Sequence, residues 1–191
     1  MTERLVIKVG GSLLELKESA ARLQQMLEND FQGKQVNLIF GGGPVIEALR
    51  ELDLIHHFDS EMMHWWCVDL LHLTFEMASQ WFPNAIGIEN ADAFERHRHH
   101  DAPGFFLFST RAFYTRSDQD TLPCDWTTTS DSIAAFLAKR LNINHLILLK
   151  ACHVPDHLNV HDAASLGIVD EFFSQASLGL RVQFLQMQKT M

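Results

Sequence analysis

Two apolar runs in the first quarter of the chain each end abruptly in glycine. Leu5-Val6-Ile7-Lys8-Val9 leads into Gly10-Gly11-Ser12, and Val36-Asn37-Leu38-Ile39-Phe40 leads into Gly41-Gly42-Gly43-Pro44. Residues lacking a Cβ let consecutive backbone N–H groups converge on an anion, and a helix starting just beyond the turn adds its positive end. Two such turns predict seats for two phosphates, with Lys8 beside them.

Common phosphate motifs do not account for these turns. No GxxxxGK[ST] run occurs, so neither turn is a Walker loop. A dinucleotide fingerprint needs a third glycine where the second turn has Ile46, and the first turn offers only a glycine pair, which argues against a Rossmann dehydrogenase.

Strands and helices alternate along the rest of the chain. Ser12 and Glu15 have capping-box spacing ahead of Leu16, Ala20, Leu23 and Leu27, which predicts a helix from Ser12 to about residue 30. Pro44 suits a first helical position before Val45, Ala48, Leu49 and Leu52. From residue 59 or 60 to 82 a long helix is apolar around most of its circumference, with a polar stripe through Glu61, His64, His72, Glu76 and Ser79. Short strands follow at 86–88 and 105–108. Ser130 is placed to cap a helix over 131–141, which feeds the strand His145-Leu146-Ile147-Leu148-Leu149-Lys150. Two short helices and a strand near 180–186 close the pattern. The expected architecture is an α/β three-layer α-β-α sandwich around a mainly parallel sheet, with ligands above the carboxyl ends of the strands. A length of 191 residues fits one such domain, spanning 1–191.

Charge narrows the partners. Lys plus Arg total 15 against 24 Asp plus Glu, a net charge of −9, and no basic stripe is present, which argues against nucleic acid and anionic membrane surfaces. An acidic body that handles phosphates needs a few local lysines, glycine N–H groups and a divalent cation, so Mg2+ is expected. Cys67, Cys124 and Cys152 are widely spaced and form no CxxC pair, and residues 1–5 carry no export signal; both fit a cytoplasmic protein. The charged and polar groups of the long helix exclude it as a membrane span. Its apolar surface suits a buried core helix or the interface of a homodimer or higher homo-oligomer.

Four segments together resemble the amino acid kinase family, whose members include the carbamate, acetylglutamate, aspartate, uridylate and isopentenyl phosphate kinases. They are Val6-Ile7-Lys8-Val9-Gly10-Gly11-Ser12, Phe40-Gly41-Gly42-Gly43, Thr129-Ser130-Asp131-Ser132-Ile133-Ala134-Ala135 and Leu146-Ile147-Leu148-Leu149-Lys150. The resemblance implies a small-molecule kinase that moves the γ-phosphoryl group of ATP to a small anionic acceptor. It implies that Lys8, Gly10, Gly11, Ser12 and Ser130 hold nucleotide phosphates and that Gly41, Gly42 and Gly43 receive the acceptor. Asp131 would orient the catalytic lysines, Lys150 being the second. The stretch 122–135, with Arg50, His64-Trp65 and Trp126, looks most similar to small kinases of methanopterin-type cofactor synthesis, which extend an aminomethylfuran phosphate to a diphosphate. That likeness adds Arg50, His64 and Trp126 to the acceptor set. The chemistry is consistent, because phosphoryl transfer asks a protein mainly for alignment and fixed positive charge.

One segment departs from the pattern. Relatives continue past the lysine strand with an aspartate and then a glycine, whereas this chain reads Ala151-Cys152-His153-Val154-Pro155. Together with the short chain, this implies a shortened C-terminal nucleotide-binding part. A nucleotide-binding protein without turnover is thus a second reading. A metal-binding or storage module using Cys152, His153, His157 and His161 is a third, although Pro155 interrupts helical spacing there and a solvated loop fits better. His97, His99 and His100 read as an exposed polar segment.

Overall fold

A computed structural model describes residues 2–187. The order is β1 (Arg4–Val9), α1 (Ser19–Asp30), β2 (Gln35–Phe40), α2 (Pro44–His56), α3 (Ser60–Trp81), β3 (Ile86–Ile88), α4 (Ala91–Arg98), β4 (Gly104–Phe108), α5 (Ser130–Arg140), β5 (His145–Lys150), α6 (Val160–Ser165), α7 (Phe173–Ala176) and β6 (Arg181–Gln186). The six strands form one sheet in the order β3-β4-β2-β1-β5-β6, and every neighbouring pair is parallel. This is the expected α/β sandwich. Parallel strands covered on both faces must be apolar on both, and β2 is buried at all six positions.

Alternation along the strands sorts the core into two layers. Leu5, Ile7 and Val9 of β1 and Ile147 and Leu149 of β5 pack with Leu23 and Leu27 of α1. Val6 of β1 and Leu146 and Leu148 of β5 pack with Ile133, Ala134 and Leu137 of α5. The same period of two places Lys8 and Lys150 on the α5 side of the sheet.

Three local expectations need correction. The helix predicted from Ser12 is instead a 3-10 turn at Gly11–Glu15, followed by a break and then α1; the Ser12 side chain makes no cap, and the turn buries Leu13. Ser130 is the first residue of α5 rather than its cap, and the preceding residue is Thr129. His97 is buried, not exposed: its Nε2 lies 2.6 Å from Asn37 Oδ1, while Asn37 Nδ2 donates to Leu5 O at 3.0 Å. A polar side chain in a central strand requires a partner, and α4 delivers one. Burial holds the His97 pKa down at about 4.

Candidate functional site at the meeting of two glycine turns

The two glycine turns touch. A Cβ on Gly11 would lie 2.0 Å from Gly43 N, and one on Gly43, whose φ is +55°, would lie 2.4 Å from Gly11 O. Only glycine fits at either point, because the obstructing atoms are backbone. A Cβ on Gly41 would sit 2.9 Å from Ser130 Oγ and 3.2 Å from Lys8 Nζ, so the second turn, the start of α5 and the Lys8 ammonium converge.

The N–H groups of the turns divide into two kinds. Gly10 N donates to Leu149 O at 2.8 Å and Gly41 N donates to Val9 O at 2.9 Å, so these two extend the sheet and are not offered to a ligand. Gly42 and Gly43 N–H meet no protein acceptor among the described residues, and they lie at the start of α2, where the helix adds positive potential.

Beneath the turns, Asp131 stands between two lysines. Lys150 Nζ donates to Asp131 Oδ2 at 2.7 Å, and Lys8 Nζ sits 2.8 Å from Oδ1. All three side chains are buried. Burial pulls the Lys8 pKa below the ordinary lysine value, against the upward pull of Asp131 and with a further downward push from Lys150. Burial alone would raise the Asp131 pKa, but the two ammonium groups outweigh it and hold the carboxyl below its usual range. The strand period and α5 explain the assembly: Lys8 and Lys150 share a sheet face, and α5 begins directly over them.

A cavity of 530 Å³ opens above the turns, within the range of small-molecule sites. Gly11, Ser12, Gly42, Gly43, Thr129 and Ser130 form part of its lining. Lys8, Asp131 and Lys150 do not line it; they lie one layer below, under Gly41 and Ser130. Arg50, His64 and Trp126 do line it, as the sequence reading grouped them. The Arg50 guanidinium carbon lies 4.1 Å from the Trp126 ring centroid, and Trp126 Nε1 donates to Asp53 Oδ2 at 2.7 Å. His64 Nε2 is 2.9 Å from Tyr114 Oη, and burial pulls the His64 pKa down, so the imidazole is neutral at pH 7.

The sequence reading missed the cavity's carboxylates. Glu15, Glu47, Glu51 and Asp125 line it, while Arg50 is the only Lys or Arg among the described residues that does so, and it pairs with Glu47 at 3.4 Å. Glu47 and Glu51 lie three and seven residues beyond Pro44, on the turns of α2 that follow the glycines. This was a signal open to inspection. Elsewhere, Cys152, His153, His157 and His161 are exposed, and no group of three or more metal-ligating side chains forms among the described residues.

A parallel sheet carrying two abutting glycine turns over a pair of buried lysines defines an α/β protein suited to phosphoryl groups. Residues 3–153 match the amino acid kinase family, and the chain belongs to that family of phosphotransferases. No curated protein matches the sequence at a significant level. Solved structures share the fold. UMP kinase from Ureaplasma parvum superposes with a TM-score of 0.67 at 14% identity, covering 98% of this chain and 90% of that one. UMP kinase from Bacillus anthracis gives 0.68 at 15%, covering 96% and 87%. Aspartate kinase from Synechocystis gives 0.63 at 12%, covering 97% of this chain and 38% of that one.

Proposed function

We propose that the protein is an ATP-dependent phosphotransferase whose acceptor is a phosphate monoester of the aminomethylfuran phosphate type. The observation that carries the reading is the Lys8–Asp131–Lys150 cluster lying directly beneath two glycine turns in contact. Asp131 braces both ammonium groups, which hold fixed positive charge where charge develops on a moving phosphoryl group. The Gly42 and Gly43 N–H groups take the acceptor phosphate, and Gly11, Ser12 and Ser130 face the donor phosphates from the other turn. In the reaction an acceptor phosphate oxygen bonds to the γ-phosphorus as the bond to ADP breaks, giving ADP and a diphosphate.

The cavity supports the finer assignment. Its floor offers N–H donors to an anion, while Glu15, Glu47, Glu51 and Asp125 offer a cationic amine a partner, and the Trp126 edge of the cavity suits a flat ring. Mg2+ supplies charge neutralisation when bound with the nucleotide. Asp131 is already engaged by two ammonium groups and Asp170 by four donors, so neither would hold the ion, whose charge would be met by the nucleotide phosphates. The chain acts as one domain with a shortened nucleotide-binding part, in a cytoplasm that keeps its three free cysteines reduced. No helix among the described residues is long and apolar enough to cross a membrane. Leu54, Ile55, Phe58, Met62 and Trp66 expose an apolar surface on α2, α3 and their connection, which we assign to a homodimer contact.

The test is thermal stabilisation by Mg-ATP, followed by 31P spectra with aminomethylfuran phosphate. A kinase gains melting temperature with Mg-ATP, forms ADP and a diphosphate, and loses turnover in Lys8→Ala while staying folded. Stabilisation without product for any monoester refutes turnover. It would favour instead a nucleotide-binding protein, the reading that the Ala151-Cys152-His153 segment and the closed contact of the turns support.

A further inference from the structure

Asp170 lies between α6 and α7, outside residues 3–153 that match the family. Its Oδ2 accepts from Thr129 N at 2.9 Å, Thr129 Oγ1 at 2.9 Å and Ser132 N at 3.0 Å, and its Oδ1 accepts from Ser132 Oγ. Phe172 N also donates to Thr127 O at 3.0 Å, so the same stretch of chain grips the approach to α5 twice. The residues held are those that bracket Ser130 and Asp131.

We propose that Asp170 is a positioning residue for the lysine cluster: it locks the first turn of α5 so that each Asp131 oxygen meets one ammonium group, and its charge offsets the second ammonium. Four bonds from one carboxylate exceed what capping alone requires, since a cap satisfies one or two N–H groups at a helix start. Charge gives the second reason. Two ammonium groups and one carboxylate leave an excess positive charge in a buried place, and an uncompensated buried charge is costly. Charged groups from three elements face Lys8: Asp131 from α5, Lys150 from β5 and Asp170 from the α6–α7 connection, and the last pulls the Lys8 pKa upward. Burial and the Asp131 charge push the Asp170 pKa up, against the bonds from Ser132 and Thr129.

The test needs no turnover, so it stands apart from the kinase assay. The full chain labelled with 13C at lysine Cε is titrated by NMR as parent and as Asp170→Asn, with Lys8 assigned by substitution. The Lys8 midpoint should move to lower pH by about half a unit, a roughly threefold change in the ammonium-to-amine ratio at a fixed pH. Asp170→Glu should restore the midpoint towards the parent value, because it restores the charge. An unchanged Lys8 midpoint in folded Asp170→Asn overturns the proposal and leaves a simple helix cap. If Asp170→Asn does not fold, Thr129→Val with Ser132→Ala removes both hydroxyl donors, leaves the carboxylate held by the two backbone N–H groups alone and is titrated instead. Movement of the Lys8 midpoint to lower pH supports the proposal, and no movement overturns it.

Discussion

Removing the charge of Asp131 should expose how the lysine cluster is held. In Asp131→Ala two buried ammonium groups lose the carboxylate that lies 2.7 and 2.8 Å from them. Breaking a buried ion pair by deleting one partner costs about 3–5 kcal/mol, because the partner charge remains without compensation. For a chain of this size that corresponds to roughly 6–20 °C in melting temperature. Urea unfolding at pH 7 measures it, provided the m-value is unchanged. The pair term follows from a cycle: Asp131→Ala with Lys150→Met should be less destabilised than the two single variants added together, since one of the orphaned charges has gone. The pH dependence has a definite sign. Because the folded Asp131 pKa is depressed, its contribution is present above the unfolded carboxylate value near 4 and is lost as pH falls through the lower folded value. Stability of the parent should therefore fall at acid pH more steeply than that of Asp131→Ala. A loss below about 1 kcal/mol, or additivity in the cycle, would refute the buried-cluster argument.

Other perturbations separate the remaining parts. Gly11→Ala puts a methyl carbon 2.0 Å from Gly43 N, so it should destroy Mg-ATP stabilisation and lower the melting temperature, while Gly33→Ala, with open space at its Cβ but a strained φ of +79°, should lower the melting temperature alone. Raising the pH should abolish the proposed turnover before it harms the fold: the folded Lys8 pKa lies below the unfolded value, so deprotonation relieves a folded-state cost while removing the charge that the proposed catalysis needs. Neutral His97, with its pKa near 4, contributes stability that is full above about pH 6.5 and is lost as pH falls towards 4. His97→Gln should flatten that limb in urea titrations at pH 7 and 4.5. Sedimentation should show Trp66→Glu as a monomer if the α2–α3 surface joins two copies.

Much of the framework was legible because its causes are local. The strands β1, β2 and β5 are apolar runs ended by glycine or lysine, and period-two alternation places Lys8 and Lys150 on one face without any tertiary information. The start of α1 was not legible, since Ser12 and Glu15 satisfy a capping pattern that the chain overrides to bury Leu13 in a tight turn. Asp170 escaped because its partners lie 38 and 41 residues away and nothing in its own neighbourhood marks it. His97 was misread through its polar neighbours, although Asn37 in the middle of an apolar strand was a sign that something polar had to reach it.

The charge of the whole chain and the charge of the cavity pose one problem with one physical answer. A net −9 repels phosphates at long range, but salt screens charges beyond about 8 Å at physiological ionic strength, so the groups around the turns decide binding. There the attraction comes from two N–H groups at the start of α2 and from ammonium groups held in a dry layer below. On the proposed function, the carboxylates at the rim oppose a bare dianion and favour a monoester that brings its own cation. Selectivity then rests on charge separation within the acceptor. Among monoesters of equal size, those carrying an amine should bind more tightly than neutral ones, and Glu51→Gln with Asp125→Asn should narrow the difference. Equal affinity in the parent for amine-bearing and neutral monoesters, measured by calorimetry at fixed salt, would remove the basis for this argument and leave the rim carboxylates as surface charge.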